Sequence, residues 1–164
     1  MDSFDYAIQM ERDGCEFYSL AADTIQDRAA QNMLELLAHD EKLHEEYIEQ
    51  MKAGTQADVV TNVARGIKNV FEKLIETDSQ FIDEDGSFTD VLRRGVEIER
   101  MSVKLYEGFA QKSQNPAEKE FWKKLLTVEE KHEKLLKITL EYIDKPNVIL
   151  ESGEFLFYDY DDSP

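Results

Sequence analysis

The stretch Leu37-Ala38-His39-Asp40-Glu41-Lys42-Leu43-His44 sets a glutamate and a histidine, Glu41 and His44, three positions apart. On a helix that spacing projects both side chains from one face, where they can grip a single metal ion. Eighty-eight positions downstream, Glu129-Glu130-Lys131-His132 repeats the Glu-x-x-His spacing, and the same offset of 88 superposes Glu11 on Glu99 and Tyr18 on Tyr106 without a gap. Aligning 4–51 with 92–139 gives 10 identities in 48 positions: Glu11, Arg12, Tyr18, Ala22, Gln26, Ala29, Leu37, Glu41, His44 and Glu45 with their counterparts. The general similarity is weak, but the matches include every Glu and His able to form a buried centre. A duplicated two-helix unit is the economical reading.

Around these residues the apolar positions follow a helical period. The first helix is expected to be capped by Ser3 or Asp5 and to run to about Thr24, with an inward stripe of Phe4, Ile8, Glu11, Cys15, Tyr18, Ala22 and Ile25. Asp27 caps a second helix over about 28–52, whose stripe Leu34, Leu37, Glu41, His44, Ile48, Met51 again sets polar residues among apolar ones. In the second half, Thr89 or Asp90 opens a helix with the stripe Leu92, Val96, Glu99, Val103, Tyr106, Ala110, and Asn115-Pro116 starts another that ends near Asp144, before Pro146. Short links make each pair antiparallel. The 52–89 connection is long enough to cross the bundle, and Val63, Ile67, Val70, Phe71, Leu74 and Ile75 predict an extra helix over about 59–77. The fold class is therefore all-α: a four-helix bundle over 1–145 with one long crossover. A short C-terminal extension, 146–164, is expected to pack on the bundle or at a subunit contact.

Composition narrows the function. A single cysteine rules out a disulfide framework and a four-cysteine iron or zinc site within the chain. The formal net charge of −17 argues against nucleic acid and anionic membranes as partners. Met1-Asp2-Ser3-Phe4-Asp5 is acidic where a signal peptide would be positive, and no apolar run approaches a membrane span, so a cytoplasmic protein is expected. The Asp83-Glu84-Asp85-Gly86-Ser87 loop is a poor calcium loop, because no glutamate follows at the required distance.

Six residues converge at mid-length of the four helices: Glu11, Glu41, His44, Glu99, Glu129 and His132. Four carboxylates inside a bundle repel one another and lose solvation, whereas two divalent cations cancel the charge. One imidazole and shared carboxylate oxygens per ion suit iron, with manganese as the alternative, better than calcium or a thiolate-seeking metal. His39, two positions before Glu41, reads as a surface histidine, and Cys15, matched by Val103, as a small core residue. Glu45, Glu97, Glu130 and Glu133 read as solvated, and Trp122 as core.

These motifs resemble the rubrerythrin-like branch of the ferritin-like di-iron carboxylate proteins, over about 1–145. Ala7-Ile8-Gln9-Met10-Glu11 followed by Phe17-Tyr18 is similar to that family's first helix, and both Glu-x-x-His pairs match its ligand pairs. The resemblance implies a ferritin-like bundle, two iron ions, and Tyr18 and Tyr106 as residues that hydrogen-bond ligand carboxylates. It further implies reduction of hydrogen peroxide or O2 with electrons from an external donor such as a rubredoxin, since this chain lacks a four-cysteine rubredoxin domain. The chain departs from rubrerythrins proper at Ser102, where an extra glutamate would follow Glu99 by three, and at Val96, which precedes Glu99 by three. Fe(II) oxidation or iron buffering of ferritin type is the alternative, and an acidic helical interaction module with a non-catalytic metal site is the second alternative. Storage needs a closed shell, whereas peroxide reduction needs only a monomer or the expected homodimer.

Overall fold

Five helices make up the computed structural model, which describes residues 2–61 and 63–145: α1 (Ser3–Thr24), α2 (Arg28–Lys52), α3 (Val63–Glu76), α4 (Ser87–Lys112) and α5 (Pro116–Asp144). The expected C-terminal extension lies outside the described residues. Local chemistry sets the helix ends. Asp2, rather than Ser3 or Asp5, caps α1: its extended backbone carries Oδ1 over the first turn, where Asp5 N–H donates to it at 2.8 Å. Asp27 caps α2 by accepting from Ala30 N, and Asn115 at the repeat-related position caps α5 by accepting from Ala117 N at 2.9 Å, with Pro116 in the first turn. At the end of α2, Gly54 takes φ +78°, which lets Thr55 N–H bond back to Gln50 O.

The start of α4 differs from expectation by two residues. Asp83 accepts from the backbone N–H of Phe88 and Thr89 at 2.8 and 2.9 Å and from Thr89 Oγ1, so the free donors of the first turn are met from four residues before the helix. The acidic 83–87 loop therefore spends its first carboxylate on capping. The crossover helix is also shorter than 59–77. Val63, Ile67, Phe71 and Leu74 bury the stripe, whereas 55–61 runs without helical structure over the bundle and Ile75 is exposed.

α1 lies against α2 and α4 against α5, while α3 packs mainly on α2. Their apolar faces form two clusters. One contains Leu34, Leu37, Ile67, Phe71, Phe88, Leu92, Leu136 and Tyr142, and the other Ile8, Ile48, Tyr106, Phe121, Trp122 and Leu125. Trp122 is core, as expected, and stacks on Tyr106 with ring centroids 5.5 Å apart. Each fully buried large apolar side chain contributes about 1.5–3 kcal/mol. The six Glu and His residues fall between the two clusters, in a layer that apolar side chains close from both ends. No helix among the described residues is long and apolar enough to cross a membrane.

Candidate metal centre

Glu11 on α1, Glu41 and His44 on α2, Glu99 on α4, and Glu129 and His132 on α5 are all at most 2% exposed. Two groups of four donors emerge, with ligand atoms within 4.8 Å of one another: Glu11, Glu41, Glu129 and His44, and Glu41, Glu99, Glu129 and His132. Glu41 and Glu129 belong to both groups, and Glu11 and Glu99 to one each. The shared acids are thus those of the two Glu-x-x-His pairs. His44 Nδ1 lies 2.9 Å from Glu129 Oε1 and 3.4 Å from Glu11 Oε2, and His132 Nδ1 lies 3.2 Å from Glu41 Oε1 and 3.4 Å from Glu129 Oε2. The imidazoles stack with centroids 5.4 Å apart.

Hydrogen bonding tests whether metal fits. Eight buried polar side-chain atoms have no hydrogen-bond partner among the described residues: Glu11 Oε2, Glu41 Oε1, both nitrogens of His44, Glu99 Oε2, both oxygens of Glu129, and His132 Nδ1. Buried polar atoms are rarely left so. All but His44 Nε2 are the atoms that face one another across the two groups, a donor set suited to two divalent cations. The terminal glutamates are held by tyrosines from the opposite half, since Tyr106 Oη donates to Glu11 Oε1 and Tyr18 Oη to Glu99 Oε1. Each of these glutamates keeps its Oε2 for the centre.

Electrostatics agree. Burial, then repulsion from Glu41 and Glu129, pushes Glu11 and Glu99 well above the usual carboxylate range. Burial disfavours charge on His44 and His132, but surrounding carboxylates, Glu129 and Asp40 among them, outweigh it and raise both. Burial would also raise Glu129, yet the two histidines hold it low. Protons thus do in part what cations would do completely.

Sequence reading placed Glu45 and Glu133 in solvent, and the structure corrects both. Glu45 is 3% exposed and bonded to Arg12 Nε at 2.6 Å and Lys42 Nζ at 2.7 Å. Glu133 is half-buried and bonded to Arg100 Nε at 2.7 Å and Lys137 Nζ. One turn beyond the Glu of each pair, these acids lean toward the neighbouring helix, where a repeat-related arginine meets them. The signal was present, because Arg12/Arg100 and Glu45/Glu133 are among the repeat's identities. Glu97, Glu130 and His39 are exposed, as expected, and Cys15 is half-buried against the core.

Asp40 is the residue that sequence reading missed. It is 2% exposed, and its Oδ2 lies 2.9 Å from His132 Nε2. Its repeat counterpart is the buried Val128, and it lies three residues after Leu37 and four before His44, which marks an inward position. Gly14 matters for space: a Cβ there would sit 2.9 Å from Glu41 Oε2, and Gly14 also lines an open groove of about 710 Å³ between α1 and α4, with Met10, Ile98 and Met101.

A family model described as Rubrerythrin matches residues 2–140. Searches of curated proteins and of solved structures found no match. With a duplicated bundle whose buried carboxylates and imidazoles form two four-donor groups, the chain belongs to the rubrerythrin family of ferritin-like di-iron proteins.

Proposed function

We propose that the protein is a di-iron oxidoreductase of rubrerythrin type, reducing hydrogen peroxide or O2 with electrons from an external donor such as a rubredoxin. The observation that carries this reading is the pair of four-donor groups sharing Glu41 and Glu129, with their facing atoms unpaired. One imidazole in each group favours iron or manganese over an ion that takes oxygen alone. Two iron ions held there supply two electrons, which with two protons convert hydrogen peroxide into two waters.

The chain's own residues set the conditions for that chemistry. Tyr18 Oη and Tyr106 Oη each fix one oxygen of a terminal glutamate and leave the other for metal. Burial and the charge of Glu99 push the Tyr18 phenol up, so it remains a hydrogen-bond donor. The apolar clusters on either side keep bulk water from the layer. Cys15 is the single cysteine, so re-reduction within this chain has no thiolate iron site to draw on.

Fe(II) oxidation of ferritin type is the second reading, favoured by the near two-fold symmetry of the ligands: Ser102 and Val96 flank Glu99 where a fifth carboxylate would stand. Stopped-flow mixing of the anaerobically reduced protein with equal concentrations of peroxide and of O2 separates the two. Faster oxidation by peroxide, two irons retained per chain and a homodimeric mass in solution are expected. Oxidation by O2 outrunning that by peroxide, or many irons retained, moves the assignment to iron oxidation. Iron content near zero after anaerobic reconstitution overturns both.

A further inference from the structure

We propose that Asp40 is a positioning residue shared by both metal-facing histidines, and that Thr61 of the crossover holds it in place. The proposal rests on the two-metal reading above.

Each imidazole turns Nδ1 toward the glutamates, so a metal bound there leaves Nε2 carrying the proton. A buried N–H needs an acceptor, and the acceptor orients the ring and fixes its tautomer. The two halves of the chain supply one such acceptor between them. Asp40 Oδ2 lies 2.9 Å from His132 Nε2 and 3.5 Å from His44 Nε2, while the repeat counterpart, Val128, has nothing to offer. Thr61 Oγ1 donates to the same oxygen at 2.5 Å, and that threonine lies in the non-helical segment before α3. One oxygen thus bonds His132 of the centre and Thr61 of the crossover, and lies within reach of His44 Nε2.

The sharing is unequal. His132 is within ordinary hydrogen-bond distance, whereas His44 Nε2, 3.5 Å away, has no hydrogen-bond partner among the described residues. A symmetric ligand set is therefore supported asymmetrically. The His132 ion should be held more tightly than the His44 ion, and the pairing ties the crossover to the centre.

The test uses the full chain stripped of metal and titrated anaerobically with Mn(II), comparing wild type with Asp40→Val, Asp40→Asn and Thr61→Val. Asp40→Val makes the position match its repeat counterpart. The wild type should bind two Mn(II) with distinct affinities. Asp40→Val should lose about 10–100-fold in affinity. Asp40→Asn, whose amide oxygen still accepts, should recover most of that loss, and Thr61→Val should lie between. Nitrogen-15 spectra of the histidine rings in the Zn(II)-loaded protein supply a readout that general destabilisation would not move. Both rings should carry the proton on Nε2 in wild type, and exchange of the His132 proton should accelerate in Asp40→Val. Wild type binding no Mn(II) overturns the two-metal reading and this inference together. Two Mn(II) bound with unchanged affinity and ring spectra in Asp40→Val overturns this inference alone. So does a proton on Nδ1 of both rings, because the metal would then sit on the Asp40 side of the histidines.

Discussion

Loading the empty protein with metal should raise its melting temperature by an amount that grows with pH. At a free metal concentration 100 times Kd, each site adds about 2.7 kcal/mol, and two add about 5.4 kcal/mol. For a chain of this size each kcal/mol shifts the midpoint by about 2–4 °C, so the increment should be about 11–22 °C. Its pH dependence follows from the centre's protons. Glu11 and Glu99 are raised above 4.5, and His44 and His132 above 6.5, so the folded empty state holds more protons than the unfolded chain. Stabilisation of that kind is complete below the unfolded values and is lost as pH rises through the folded ones. An incoming cation competes with the same protons and binds better as pH rises. Burial raises Asp40 and Glu129, but the histidines overcome it and hold both low, so their contribution is lost only in acid, below unfolded values of 3.8 and 4.5. The empty protein should therefore melt lower at about pH 8 than at about pH 6, with the Mn(II)-induced rise larger at the higher pH. Circular dichroism melts of chelator-treated and Mn(II)-loaded samples measure this. A rise that is absent, or that shrinks toward alkaline pH, would refute the reasoning.

Further substitutions probe the centre and its surroundings. Tyr106→Phe removes the donor to a buried oxygen of Glu11 and should cost about 1–3 kcal/mol in the empty protein, read by urea denaturation. Gly14→Ala should leave the fold intact yet lower Mn(II) affinity about 10-fold, because its Cβ displaces Glu41 Oε2, whereas Gly108→Ala, with nothing within 4 Å of the new carbon, should add about 0.5–1 kcal/mol of stability and leave metal binding unchanged. Arg12→Ala should lower stability only slightly, since Lys42 still partners the buried Glu45 and Arg12 is itself half exposed. Denaturation of this variant, of Glu45→Gln and of the double variant measures the coupling.

The bundle was legible because its signals are local and repeated. Helical stripes interrupted by acids at the same level located α1, α2, α4 and α5 within a few residues, and the 88-residue offset singled out the six Glu and His residues that the fold buries together. The start of α4 was misplaced because its cap is Asp83, four residues before the helix, reaching across a left-handed Gly86 rather than occupying the adjoining position. Glu45 and Asp40 were misjudged or missed for a related reason. The burial of an acid depends on what faces it from another helix, and a stripe drawn on one helix does not contain Arg12 or His132. Each left a trace in the repeat, Glu45 as an identity and Asp40 as an acid opposite a valine.

Gly14 and Ser102 are repeat-related positions, each three residues after a terminal glutamate, and they bear on how the centre could evolve. At position 14 a Cβ would lie 2.9 Å from Oε2 of the shared Glu41, so enlargement there shifts that carboxylate. Ser102 meets instead the sulfur of Met10 at 3.6 Å, the flexible end of a side chain that lines the open groove. A longer side chain at 102 would press on a methionine, and one at 14 on a carboxylate of the centre. The duplication thus produced two equivalent places with unequal neighbours: enlarging the one in the first half moves an acid of the centre itself, whereas enlarging the one in the second half moves a methionine.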